Sequence, residues 1–112
     1  MINILSKIFK NKDNNNYYFE DFNNFKKNSS IEKIFDLISN ISEKSEIRYV
    51  GGFVRKIINK EKIDDVDLAT NVNPGKICEI LKKNNISFYE SGIEHGTITA
   101  KIENYKFEIT TL

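Results

Sequence analysis

A single cysteine, Cys78, stands in the 112-residue chain, which excludes an intramolecular disulfide framework and a multi-cysteine zinc site. A reducing cytosol suits such a chain. No apolar run approaches the roughly 18 residues a transmembrane helix needs, so no membrane span and no membrane partner are expected. Net charge is almost absent. Lys and Arg number 17 against 16 Asp and Glu, giving +1, so no global field attracts nucleic acid or anionic lipid. Any phosphate binding must come from a local site. The length allows one domain, and a hydrophobic content of 39% supplies only a modest core.

Residues 1–30 form an Asn-rich N-terminal extension, and residues 31–112 form the folded domain. Met1, Ile4, Leu5 and Ile8 fall at helical spacing near Lys7, Lys10 and Lys12. The stretch lacks the basic start and small-residue cleavage site of a signal peptide. Docking on the domain or fraying is expected ahead of attachment to a membrane surface, for which one short helix with three lysines is weak evidence. Further on, Asn14, Asn15, Asn16, Asn23, Asn24 and Asn28 are interleaved with Tyr17, Tyr18, Phe19, Phe22 and Phe25. The aromatic spacings suit a short helix or an interaction segment, but asparagine competes for backbone hydrogen bonds, so a loosely ordered segment is expected, with its aromatics anchored on the domain rather than stacked on RNA bases.

From residue 31 the periodicities alternate. Ile31, Ile34, Phe35, Leu37, Ile38 and Ile41 keep a helical period, with Ser29 as N-cap and Glu32 completing a capping box. A strand over 47–50, a helix over 53–59 and a strand over 63–70 follow. Asn73-Pro74-Gly75 opens a helix reaching about residue 84, because proline is tolerated in a first turn. A short strand over 86–89, a loop over 91–96 and a hairpin of 97–102 with 105–112 complete the order. This is an α/β (α+β) domain with a mixed, mostly covered sheet and flanking helices. Its last strand runs to Leu112 with no cap or polar tail, so the expected form is truncated at the C-terminus or dependent on a partner.

Chemistry concentrates between Gly51 and Thr70. Gly51 and Gly52 lack a Cβ, so backbone N–H groups there can approach an oxyanion closely. Arg55, one turn into the following helix, can clamp phosphate oxygens with its planar fork. A diglycine alone also serves as an ordinary turn. Asp65 and Asp67 stand two apart on a strand and project from one face, while Val66 and Leu68 take the other and alternation points Asp64 away. Two adjacent anions suit a divalent cation, and Mg²⁺ binds through one or two carboxylates plus substrate phosphates. The plainer alternative is a solvated strand end. Cys78, among Ile77, Ile80 and Leu81 on a helix face, belongs to the core.

Four ordered segments carry a resemblance: Gly51-Gly52-Phe53-Val54-Arg55, Asp65-Val66-Asp67-Leu68-Ala69-Thr70, Gly92-x-x-His95-Gly96-Thr97 and Phe107-Glu108-Ile109-Thr110-Thr111-Leu112. Over residues 31–112 the chain resembles the head domain of the bacterial-type (class II) CCA-adding tRNA nucleotidyltransferase and poly(A) polymerase family. That resemblance implies a DNA polymerase β-like palm that transfers a nucleoside monophosphate from ATP or CTP to an RNA 3′-hydroxyl, such as a tRNA 3′ end, with Mg²⁺. It implies Asp65 and Asp67 as metal ligands and Gly51, Gly52 and Arg55 as the triphosphate cradle. Thr70, Thr110 and Thr111 read first as strand formers, with Thr70 the one placed to neighbour a phosphate. Glu108 is the implied third carboxylate, or a plain exposed strand residue. His95 either contacts substrate or belongs to a flexible loop. Lys56 departs from the family pattern, which usually has Asp after the motif arginine. The family's ribose-contacting Arg-Arg-Asp motif, nucleotide-selecting neck and tRNA-binding body find no counterpart here. A truncated or split enzyme is expected, with two alternatives: a non-catalytic nucleotide-binding remnant, and a subunit completed by a separately encoded neck and body chain.

Overall fold

Ser30 divides what would otherwise be one long helix. The computed structural model describes residues 15–50, 52–63, 65–92, 94 and 96–112. In it, α1 (Asn15–Ser29) runs directly into α2 (Ile31–Ser39), and the break falls at Ser30, whose φ of 61° is left-handed. The expected capping box does not form. Ser29 ends α1 with helical backbone, whereas an N-cap needs a non-helical one, and its Oγ accepts only from the Ile31 N–H at 3.3 Å. Glu32 reaches back to α1 instead, 3.6 Å from Lys26 Nζ.

The segment expected to be a loose extension is helical from Asn15 and supplies part of the core. Phe22 and Phe25 are buried, with ring centroids 6.1 and 5.0 Å from that of Phe53. Tyr49 stacks on Phe53 at 4.5 Å, and Phe22 meets the Tyr49 edge at 5.8 Å. Aromatic docking overrides the local preference of asparagine for turns, since most helical stability comes from a packed face. The boundary drawn at residue 30 therefore crosses a single packed core. The membrane-surface reading of residues 1–12 lies outside the described residues, as do the side chains of Tyr17, Tyr18 and Phe19.

Downstream, the order is β1 (Ile47–Tyr49), α3 (Phe53–Ile58), β2 (Asp65–Thr70), α4 (Pro74–Lys83), β3 (Ser87–Gly92), β4 (Thr97–Ile102) and β5 (Tyr105–Thr111). Asn73 caps α4 by accepting from the Lys76 N–H at 2.9 Å, and Pro74 occupies the first turn. The strands form one mixed sheet in the order β1-β2-β5-β4-β3, in which β2 and β5 are parallel and the other neighbours antiparallel. Strand β3 continues through the expected loop to Gly92, with a register shift between Glu90 and Gly92. Gly96 enters β4 at φ +72°, a conformation that favours glycine, and its carbonyl accepts from the Thr111 N–H at 2.9 Å.

Helices cover one face of this sheet, not most of it. Val66, Leu68, Ile98, Ala100, Phe107 and Ile109 point into the core against Ile34, Ile38, Ile77 and Leu81. Alternation sends Asp65, Asp67, Lys101, Lys106 and Glu108 to the other face, where they are exposed. Cys78 is half-buried against the core. No described helix is long and apolar enough to cross a membrane.

The packing of α1 carries a prediction. Phe25→Ala should lower the unfolding free energy by about 3–5 kcal/mol, the usual loss for a buried phenylalanine. Exposed Asn24→Ala, on the same helix, should change it by under about 0.5 kcal/mol. Urea denaturation of the two variants checks this.

Candidate active site

The bare face owes its carboxylates to two alternating strands laid side by side. On β2, Val66 and Leu68 are fully buried, which turns Asp65 and Asp67 outward together. The parallel register then pairs Asp67 with Glu108 and Asp65 with Lys106 on β5. Strands about 4.8 Å apart leave the paired side chains within reach of each other. Glu108 is an exposed strand residue that stands directly beside Asp67. Its carboxyl is held above its ordinary value, first by a hydrogen bond with Asp67, then by partial burial and by the charges of Asp67 and Asp65, with Lys106 opposing. A hydrogen bond between two carboxyl groups requires one of them to carry a proton.

The turn at Gly52 follows from the same place. The Val50 N–H, just past the end of β1, donates to the Asp67 carbonyl at 3.0 Å, which ties the chain entering that turn to the strand carrying the acids. Arg55 folds back across Gly52, and a Cβ on Gly52 would stand 2.8 Å from the Arg55 Nη2. The bare glycine therefore lets the guanidinium lie over the turn. Helix α3, at six residues, is short. Gly51, Asp64 and His95 lie outside the described residues.

Thr70 takes a different place from the one expected. It is buried on the core side of β2, and its hydroxyl donates to the Glu46 carbonyl at 2.6 Å and accepts from the Val72 N–H at 3.1 Å. Those bonds pin the end of β2 to the segment before β1 and leave the hydroxyl pointing away from the acids. Lys56, where the family pattern has Asp, also faces elsewhere. It lines a cavity of about 260 Å³ between α1 and α3 with Asp21, Phe25, Ile57, Lys60, Glu61 and Ile63.

Two hydroxyl pairs were not singled out from the sequence. Thr97 and Thr110 hydrogen-bond through Oγ1 at 2.9 Å, and Ser91 and Thr99 at 2.7 Å, on the face that carries Glu108. The alternation of Thr97 and Thr99 with buried Ile98 and Ala100 was the available signal.

Among the described residues no group of three or more His, Cys, Asp or Glu side chains is arranged to hold a metal ion by itself. The donor set still fits Mg²⁺, which takes one or two carboxylates and completes its shell with substrate phosphates and water. Asp65 and Asp67 are the pair available for it.

A mixed sheet with helices on one face and an outward acid pair beside a glycine bend is the architecture of a nucleotidyltransferase head domain. The chain belongs to the poly(A) polymerase head domain family, whose model matches residues 47–112. It is 40% identical over 73 residues to human mitochondrial CCA tRNA nucleotidyltransferase 1, covering 64% of this chain and 17% of that protein. It is 42% identical over 66 residues to the CCA-adding enzyme of Lactobacillus gasseri, covering 59% of this chain and 16% of that one. The chain thus spans about a sixth of the length of these curated relatives. Among solved structures, it is similar to the Bacillus stearothermophilus CCA-adding enzyme in complex with CTP, with a TM-score of 0.55 and 25% identity over 73% of this chain and 20% of that one.

The Glu108–Asp67 contact makes stability depend on pH. A carboxyl whose folded value lies above the ordinary 4.5 stabilises the fold below that pH, and this contribution is lost as pH rises through the folded value. Glu108→Gln should therefore be more stable than the parent chain at neutral pH, with the difference closing on acidification. Urea midpoints measured from neutral pH down through the carboxylate range test this.

Proposed function

We propose that this chain is a nucleotidyltransferase head domain of the tRNA CCA-adding and poly(A) polymerase type, transferring a nucleoside monophosphate from ATP or CTP to an RNA 3′-hydroxyl. One observation carries the reading: Asp65 and Asp67 lie together on the open face, with Glu108 in register beside them and the Gly52–Arg55 turn tied to the same strand. The reaction joins the RNA 3′-oxygen to the nucleotide α-phosphorus and breaks the bond to the pyrophosphate, which leaves. Asp65 and Asp67 would hold Mg²⁺, which would neutralise charge on the phosphates and favour ionisation of the attacking hydroxyl, whose proton passes to solvent. Arg55 offers a planar set of donors to the triphosphate, with Gly51 and Gly52 giving close backbone approach. Glu108 supplies a third carboxylate next to Asp67 and restrains its orientation. His95 contacts the nucleotide from the β3–β4 connection. Thr70 has no part in this set, since its hydroxyl is committed within the fold.

Positioning and charge neutralisation account for most of the rate in such transfers, so a small group of residues suffices for the reacting centre. A reducing cytosol is the setting its lone cysteine suits. A second reading is nucleotide binding without turnover, alone or until a separately encoded neck and body chain joins. Lys56 favours it, because the family's carboxylate is replaced by a side chain that lines the helix-layer cavity.

Incubation with Mg²⁺, labelled CTP or ATP and tRNA lacking its 3′ end should give extended tRNA. Asp65→Asn and Asp67→Asn should each lower the extension rate by at least about 100-fold while circular dichroism stays unchanged. Nucleotide binding without extension supports the second reading. Absence of both overturns the nucleotidyltransferase reading.

A further inference from the structure

The open face changes sign across its width. Beside the acids, Lys106 on β5 is paired with Lys101 on β4, and both are exposed. Directly opposed residues share a face, and like charges in that position destabilise a sheet. Lysines are common on edge strands, where they block edge-to-edge pairing, but β4 and β5 are interior strands of this sheet. Edge protection therefore does not explain them. Neither lysine belongs to an ion pair among the described residues, although the Lys106 charge reaches Glu108. One strand further on, Tyr89 of β3 is paired with Thr99 and is 49% exposed on the same face. From Asp65 to Lys101 the row spans two strand spacings, roughly 10 Å.

The geometry points to Lys101, Lys106 and Tyr89 as the track along which a single-stranded polynucleotide approaches the acid pair. The role of that polymer as the acceptor rests on the transferase reading above. Paired lysines attract successive phosphates, and an exposed ring beside them offers a stacking platform for a base, the combination by which single strands are held without sequence readout. The two flanks of the acids divide the substrates. The flank at β1 carries the glycine bend and Arg55, joined to Asp67 through Val50, and takes the triphosphate. The flank at β4 and β3 is left for the polymer, which must reach the same acids from the other side.

The RNA titration contains no metal or nucleotide and involves no turnover, so it can succeed or fail independently of the extension assay; CTP binding of the same variants is titrated separately. A fluorescent single-stranded RNA oligonucleotide is titrated with the full chain at several salt concentrations, and anisotropy is followed. The double variant Lys101→Gln/Lys106→Gln should bind more weakly, and the slope of log affinity against log salt should fall by about 1.4, the share of two phosphate contacts on a single strand. Tyr89→Ala should weaken binding roughly tenfold with the salt slope unchanged, as loss of one stacked base does. Lys82→Gln/Lys83→Gln, which removes the same charge from the end of α4, should change neither quantity appreciably. Lys101→Gln should leave thermal stability equal or higher, since it relieves a like-charge pair. No measurable RNA binding by the unaltered chain overturns the proposal. So does an equal loss in the α4 variant. A third overturning result is a β4–β5 variant that loses CTP binding and keeps RNA binding, which would make the lysines part of the nucleotide site.

Discussion

Pairing β2 with β5 in parallel forces Asp67 against Glu108, and the rest of the site follows from that enforced proximity. Left to themselves the two carboxylates would separate, so something must hold the strands in register. The opposite face does this: Val66, Leu68, Phe107 and Ile109 are almost completely buried beneath the helices. A slip of one residue would turn that apolar set toward solvent and the acids into the core. Hydrophobic burial on one side therefore offsets electrostatic repulsion on the other. Glu108, held above its ordinary value first by its hydrogen bond to Asp67 and further by the charges of Asp67 and Asp65, reflects that enforced proximity. A bound cation would remove the repulsion.

Much of this arrangement was visible in the residue pattern because both strands alternate cleanly. Period two at Asp65–Leu68 assigned the acids to one face, and the Glu103-Asn104 hairpin brought β5 next to β4. The proximity of Glu108 to Asp67 could not be read the same way. It depends on a parallel pairing between strands far apart in sequence, and no local signal sets that register. Thr70 ends β2 as the strand former its type suggests, but the place of its hydroxyl was equally hidden. Its type and position suit a phosphate neighbour, but its parity puts it on the core side, where the Glu46 carbonyl and Val72 N–H claim its hydroxyl. The asparagine-rich segment misled more broadly. Local propensity argued for loops, whereas the spacing of Phe22 and Phe25 suited a helix docked on Tyr49 and Phe53.

The face opposite the helices concentrates the features that the core does not explain: three carboxylates, a like-charged lysine pair on interior strands, two hydroxyl pairs and an exposed tyrosine. A sheet selected only for stability would not place Lys101 against Lys106, nor Asp67 against Glu108. Such local conflicts are expected where binding or catalysis sets the residues. Both conflicts lie within a few strand spacings of each other, and the Gly52–Arg55 turn closes one flank.

The central claim is that a divalent cation sits against Asp65 and Asp67 when nucleotide is present. Substituting Mn²⁺ for Mg²⁺ in the presence of CTP and recording amide NMR spectra of the labelled chain tests it most directly, because the paramagnetic ion broadens only nearby signals. The account predicts selective loss of the amides around Asp65–Asp67 and Glu108, while those of α4 remain sharp. Broadening centred elsewhere, or none at saturating nucleotide, would contradict it.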